Sequence, residues 1–163
     1  MGPPGAGKSS TARVLAELLD GEVIDTDYLV EEANGKRIPD IFAENGEPLF
    51  REQEELAVER ALSTAKTRRK IISLGGGAIL SELTRSRLLS QGALIVFLNV
   101  SIAHAAPRIG FNRDRPLLLD NPRAKWVALM KERLPIYQSI AGLVVETDGK
   151  SAREVASEIA GKI

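Results

Sequence analysis

No cysteine occurs in the chain, which excludes a disulfide framework and any thiolate metal site. A single histidine argues equally against a zinc cluster. The lack of thiols fits a reducing compartment, so a cytoplasmic location is expected. Net charge is missing as well: 22 Lys and Arg balance 22 Asp and Glu to a formal +0. A nucleic-acid or anionic-membrane binder working by bulk charge is therefore not expected, and any anion site must be local. There is no apolar run long enough to span a bilayer and no secretory signal, so a soluble protein, monomeric by default, is expected. The 163 residues also show no internal repeat, low-complexity tract or linker, as one domain would. A chain of this size buries roughly two-thirds of its unfolded surface.

What is present begins at once. Gly2-Pro3-Pro4-Gly5-Ala6-Gly7-Lys8-Ser9 fits the phosphate-loop pattern G-x-x-x-x-G-K-[ST]. Glycines are needed because backbone N–H groups must close around phosphate oxygens, which side chains at those positions would block. Lys8 then supplies a point charge for the β- and γ-phosphates, and the Ser9 hydroxyl an oxygen for Mg²⁺. Val14, Leu15, Leu18 and Leu19 recur at helical intervals behind the loop, so the positive end of a helix faces the same anion. A phosphate loop normally hangs from a buried strand, yet only Met1 precedes Gly2, so an upstream start is expected.

Short apolar runs alternate with helical patterns further on. Val23 to Asp25, Ile71 to Leu74, Leu94 to Asn99 and Leu143 to Glu146 read as buried strands separated by helices, which predicts an α/β fold with a parallel sheet. Ser151 and Glu154 form a capping box ahead of a final helix striped by Val155, Ala156, Ile159, Ala160 and Ile163.

Ligands of open α/β sheets bind beyond the carboxyl ends of the strands. Strand two ends in Asp25-Thr26-Asp27, whose carboxylates, two apart, would face the loop together, one toward Mg²⁺-bound water and one toward a substrate hydroxyl. Asp27 also reads as a cap for a helix starting at Tyr28. Strand three ends in Gly75-Gly76-Gly77, which calls for close backbone approach, either by an anionic substrate or in tight packing. A helix from about Pro48 to Ala65 carries Glu54 on its apolar face, so a partner is required, and Arg51 is one turn away. That pair is either structural or an oriented arginine for a carboxylate ligand. The polar, basic stretch from Arg108 to Pro122 looks like a lid, and Arg133 precedes a helix expected to break at Pro135. His104 is given no role, and Trp126 and Met130 read as packing.

Taken together, the loop, Asp25-Thr26-Asp27, Phe50-Arg51 with Glu54, Leu74-Gly75-Gly76-Gly77, Arg115-Pro116-Leu117-Leu118 and Arg133 before Pro135 and Tyr137 resemble the shikimate kinase family over almost the whole chain. The resemblance implies a P-loop, nucleoside-monophosphate-kinase-like fold: a parallel sheet of order 2-3-1-4-5 flanked by helices, with its first strand truncated here. It implies transfer of the ATP γ-phosphate to the 3-hydroxyl of shikimate, a substrate-binding region at about 27–60 and a lid at about 108–122. Gly5, Ala6, Gly7, Lys8, Ser9 and Ser10 would hold the nucleotide, Ser9 and Asp25 the Mg²⁺, and Arg108 the adenine side. Arg115 would close onto the phosphates. Asp27 would bind the shikimate hydroxyls and is the candidate proton acceptor. Arg51, Arg133 and the backbone of Gly75, Gly76 and Gly77 would hold the carboxylate, with Glu54 steadying Arg51. The family often places a proline after the last strand, against the adenine, and residues Thr147 to Ala152 contain none. A gluconate or other polyol-acid kinase of the same fold is the nearest rival, and a catalytically silent nucleotide-binding module the more distant one.

Overall fold

The computed structural model describes residues 1–63, 69–109 and 121–163. Helix α1 (Lys8–Leu18) leaves the phosphate loop, and β1 (Glu22–Asp25) follows across Asp20 and Gly21. Two helices, α2 (Thr26–Asn34) and α3 (Ile38–Ser63), lead to β2 (Lys70–Ser73), which pairs parallel with β1 from Glu22↔Lys70 to Asp25↔Ser73. A 3₁₀ turn (Ala78–Leu80) and α4 (Glu82–Ser90) lead to β3 (Val96–Asn99). Helices α5 (Ile102–Ile109) and α6 (Pro122–Ile140) precede β4 (Leu143–Glu146), parallel to β3 from Val96↔Leu143 to Asn99↔Glu146. Helix α7 (Ala152–Ala160) closes the described chain. Each parallel pair is joined through helices, as parallel strands require.

The expected central strand appears only as Met1. Its nitrogen donates to the Val96 carbonyl at 2.8 Å and its carbonyl accepts from the Leu98 N–H at 2.9 Å. Met1 thus sits against β3, in a gap of about 140 Å³ whose far wall is Ile71, Ile72 and Ser73 of β2. The described strands form two separate parallel pairs, β1–β2 and β3–β4, with Met1 bonded to the second, and within each pair the neighbours are those expected from the resemblance.

Three sequence readings need correction. The outer strands are not buried: β1 is half-buried throughout, and on β4 Val145 is buried while Val144 is 46% exposed, because an edge strand covers only one face. The buried stripe of α1 runs through Thr11, Ala12, Leu15 and Ala16, with Leu18 exposed, because small residues let the helix lie close to β2 and α7. Pro135 does not break α6, which continues to Ile140; proline there forfeits one intrahelical hydrogen bond, which the packed helix tolerates.

The capping box of Ser151 and Glu154 is present, and Val155, Ala156 and Ile159 are buried behind it, although the helix ends before Ile163, which is exposed. Helix α3 starts ten residues before Pro48 and is interrupted at Gly46, whose φ of 78° and ψ of 176° lie outside helical space and are open to glycine. The segment after this break carries Phe50 into a small second core with Val30, Ile41 and Ala57. Phe42 packs on Phe50 with ring centroids 4.5 Å apart. That local core fixes the face of α3 from which Arg51 and Glu54 project. Among the described residues no helix is long and apolar enough to cross a membrane.

Candidate active site

Gly5 adopts φ 84°, and a Cβ there would stand 2.9 Å from the Ala105 carbonyl on α5, so a side chain is excluded twice over. The Ala6 N–H closes the turn onto the Pro3 carbonyl at 3.2 Å. Helix α1 then begins at Lys8 with no side-chain cap, which points its positive end at the loop. Residues Gly5, Ala6, Gly7, Lys8, Ser9 and Ser10 form one wall of a cavity of about 530 Å³. Asp27, Gly76, Arg108, Thr147 and Lys150 are among the residues that line the rest of it. The Lys8 ammonium donates to the Pro3 carbonyl at 3.2 Å.

Asp25 and Asp27 both reach this region, by a different geometry from the one expected. Helix α2 begins immediately at Thr26, so extended alternation does not apply, and the cap is Asp25, not Asp27: Asp25 Oδ1 accepts the Asp27 N–H at 3.0 Å. The other Asp25 oxygen accepts the Ser9 hydroxyl at 2.7 Å. Ser9 and Asp25 therefore present adjacent oxygens beside the loop. Among the described residues there is no cluster of three or more His, Cys, Asp or Glu able to hold a metal. One or two protein oxygens, with phosphates and water supplying the rest, is the donor set Mg²⁺ takes at nucleotide sites, so the residues fit that ion.

Gly75, Gly76 and Gly77 are where the two halves of the site meet. A Cβ on Gly75 would overlap a Glu54 carboxylate oxygen and lie 2.6 Å from Asp27 Oδ1. A Cβ on Gly76 would lie 3.8 Å from the Lys8 ammonium, and one on Gly77 would collide with the Arg51 guanidinium. The close approach predicted for the triplet is thus real, and protein side chains make it. Thr26 anchors the turn by accepting the Gly75 N–H at 2.8 Å. Its far side is held by α6: Arg133 Nη1 donates to the Gly76 carbonyl at 3.0 Å and the Tyr137 hydroxyl to the same oxygen at 2.6 Å. Because a trans peptide points its N–H opposite its C=O, those two donors also fix where the Gly77 N–H points.

Arg51 and Glu54 pair as expected, Nη1 to Oε2 at 2.7 Å, with Glu54 buried. Burial pushes the Glu54 carboxyl above its usual range, opposed by the Arg51 charge. For Arg51, burial alone would lower the pKa, but Glu54 and Glu47 outweigh it and the guanidinium stays firmly protonated. Glu47 accepts from Arg51 Nη2 at 2.8 Å and Nε at 3.1 Å. The guanidinium also lies 5.2 Å from the Phe50 ring centroid. Arg133 is buried at 5% exposure rather than solvated, and its Nε has no hydrogen-bond partner among the described residues. An orphaned guanidinium N–H beside a glycine turn suits an anion site.

Arg108 lines the loop cavity, donating to the carbonyls of Gly5 at 3.3 Å and Thr147 at 3.1 Å. Of the lid expected at about 108–122, residues 110–120, Arg115 included, lie outside the described residues, while its ends belong to α5 and α6. Three residues make contacts that the sequence does not assign. Tyr137 is one, signalled only by standing four residues after Arg133 on one helix. Trp126 is another: it is buried as packing, as expected, but its Nε1 also donates to the Pro4 carbonyl of the loop at 2.9 Å. Glu47 is the third, and its spacing of four from Arg51 was the available signal. His104 pairs with Asp148 at 3.1 Å near the surface and joins none of this.

The family model "Shikimate kinase" matches residues 4–163. A shikimate kinase of Thermobifida fusca is 47% identical over 163 residues, covering 100% of this chain and 92% of its own. A shikimate kinase of Rhodococcus erythropolis is 44% identical, covering 100% and 94%. Among solved structures, a shikimate kinase from Acinetobacter baumannii in complex with shikimate superposes with a TM-score of 0.93 at 35% identity, over 99% of this chain and 88% of that one. The enzyme from Aquifex aeolicus superposes at 0.82 with 30% identity, over 98% and 91%. With its phosphate loop, parallel strands and match over nearly full length, this chain belongs to the shikimate kinase family.

Proposed function

We propose that the chain transfers the γ-phosphoryl group of ATP to the 3-hydroxyl of shikimate, acting as a monomer in the cytoplasm. The observation that carries this reading is the Gly75–Gly77 turn, which borders the cavity lined by Lys8 and Asp27 and is met by Arg51 at Gly77 and by Arg133 at the Gly76 carbonyl. A phosphoryl transfer asks the protein for alignment and charge neutralisation, not for a covalent intermediate. The loop N–H groups and Lys8 hold the triphosphate. Ser9 and Asp25 would hold a Mg²⁺ ion, which when bound neutralises phosphate charge. Arg108 borders the nucleoside side, and Arg115 is assigned to the phosphates by the family pattern.

On the acceptor side, Arg51, Arg133 and the Gly76–Gly77 backbone bind the shikimate carboxylate, with Glu54 fixing Arg51. Asp27 binds the ring hydroxyl and takes its proton as the oxygen bonds to the γ-phosphorus; the bond from that phosphorus to the β,γ-bridging oxygen breaks and ADP leaves. Two arginines set apart from the phosphate loop favour an acidic acceptor over a neutral one. The test is a coupled assay of ADP release with Mg²⁺ATP and either shikimate or gluconate. Turnover with shikimate alone is expected, and comparable turnover of gluconate overturns the substrate assignment. ATP binding without turnover of either acid overturns the kinase reading in favour of a silent nucleotide module.

A further inference from the structure

Arg51 is held in two ways that differ in permanence. Its Nη1 is bonded to Glu54, whose side chain is 3% exposed, and lies flat against Gly77. The opposite edge, Nε and Nη2, grips a single oxygen of Glu47, whose side chain is 48% exposed. That edge carries two parallel N–H groups and is suited to a two-pronged grip on a carboxylate. Glu47 follows the interruption of α3 at Gly46 and lines the same cavity of about 590 Å³ as Arg51, Glu54 and Gly77.

We propose that Glu47 is a displaceable stand-in for the substrate carboxylate, holding the Nε and Nη2 edge of Arg51 while the acceptor site is empty and yielding it when the acceptor enters. This rests on the acceptor assignment made above. Three carboxylates cannot share one guanidinium without strong mutual repulsion, so one of the two residents must leave. Freeing Glu54 would strand a buried charge, whereas Glu47 moves into water, where an exposed ion pair contributes little. Glu47 thereby keeps Arg51 extended toward Gly77, at the cost of weaker acceptor binding.

The test compares the wild type with Glu47→Gln and Glu55→Gln, reading KM for shikimate, KM for ATP and kcat. Glu55 lines the same cavity, so its variant controls for loss of negative charge alone. Glu47→Gln is expected to lower the shikimate KM roughly twofold to fivefold, the strength of an exposed ion pair, with kcat and the ATP KM unmoved. Glu55→Gln is expected to leave all three constants in place. An unchanged or raised shikimate KM in Glu47→Gln, or an equal fall in Glu55→Gln, overturns the role of Glu47 while leaving the kinase reading intact. A wild-type chain that does not phosphorylate shikimate refutes the kinase reading and the role of Glu47 with it.

Discussion

Replacing Tyr137 by Phe removes one hydroxyl and keeps the ring, which stacks on Phe97 with centroids 4.9 Å apart and is fully buried. The lost bond is the 2.6 Å contact to the Gly76 carbonyl. Arg133 still donates to that oxygen, so the carbonyl is not orphaned, and the cost is that of one net hydrogen bond, about 1 kcal/mol. For a domain of this size that lowers Tm by roughly 2–4 °C. The functional effect follows from geometry. With one of its two anchors gone the Gly76–Gly77 peptide loosens, and the N–H that should meet the acceptor carboxylate is no longer aimed, so the shikimate KM rises by about fivefold to tenfold.

A pH signature accompanies this effect. Burial raises the Tyr137 hydroxyl from an ordinary 10.0 to about 12, so the folded chain favours the neutral form. A raised pKa contributes stability that is complete below pH 10.0 and disappears as pH climbs toward about 12. Across that window the wild type loses up to about 1.4 kcal/mol per pH unit that Tyr137→Phe does not lose. Thermal melts at pH 8, 10 and 11, alongside the coupled assay at pH 8, read both effects. Identical melting with unchanged shikimate KM, or an ATP KM that moves as far as the shikimate KM, refutes the reasoning.

Asp27→Asn should abolish turnover while nearly preserving ATP affinity; a near-normal kcat in the coupled assay would remove that carboxylate from the centre of the reaction. Arg51→Ala should raise the shikimate KM roughly tenfold to a hundredfold, the cost of a lost charge-assisted contact, and the ATP KM far less. Equal changes in both constants would mark Arg51 as structural. Trp126→Phe deletes the bond to the Pro4 carbonyl, so the ATP KM, not the shikimate KM, should rise by about threefold to tenfold in initial-rate measurements.

The chemistry-bearing residues were legible because each is tied to local pattern: a glycine spacing around Lys8, a carboxylate pair at a strand end, a buried acid with an arginine one turn away. What could not be read depends on contacts distant in sequence. Tyr137 meets Gly76 across 61 residues and Trp126 meets Pro4 across 122, distances over which periodicity carries no information. Strand exposure was misjudged for Val144 because an edge strand and a central one can share the same apolar composition. Asp27 reads as the cap of α2 because the sequence places the helix start at Tyr28, whereas the chain turns helical at Thr26, directly after the strand, and Asp25 becomes the cap. Gly46 reads as an ordinary glycine in a polar stretch, and only its backbone angles show that it divides α3.

Helix α6 sends Trp126 to one loop and Tyr137 to another, and these residues stand 11 positions apart on a single rod. At about 1.5 Å of rise per residue, the two tethers are set about 16 Å apart along its axis. The rod therefore works as a gauge bar between the phosphoryl donor and its acceptor. An insertion of one residue between those anchors would swing them about 100° out of phase, leaving either loop able to fold but the spacing between them lost.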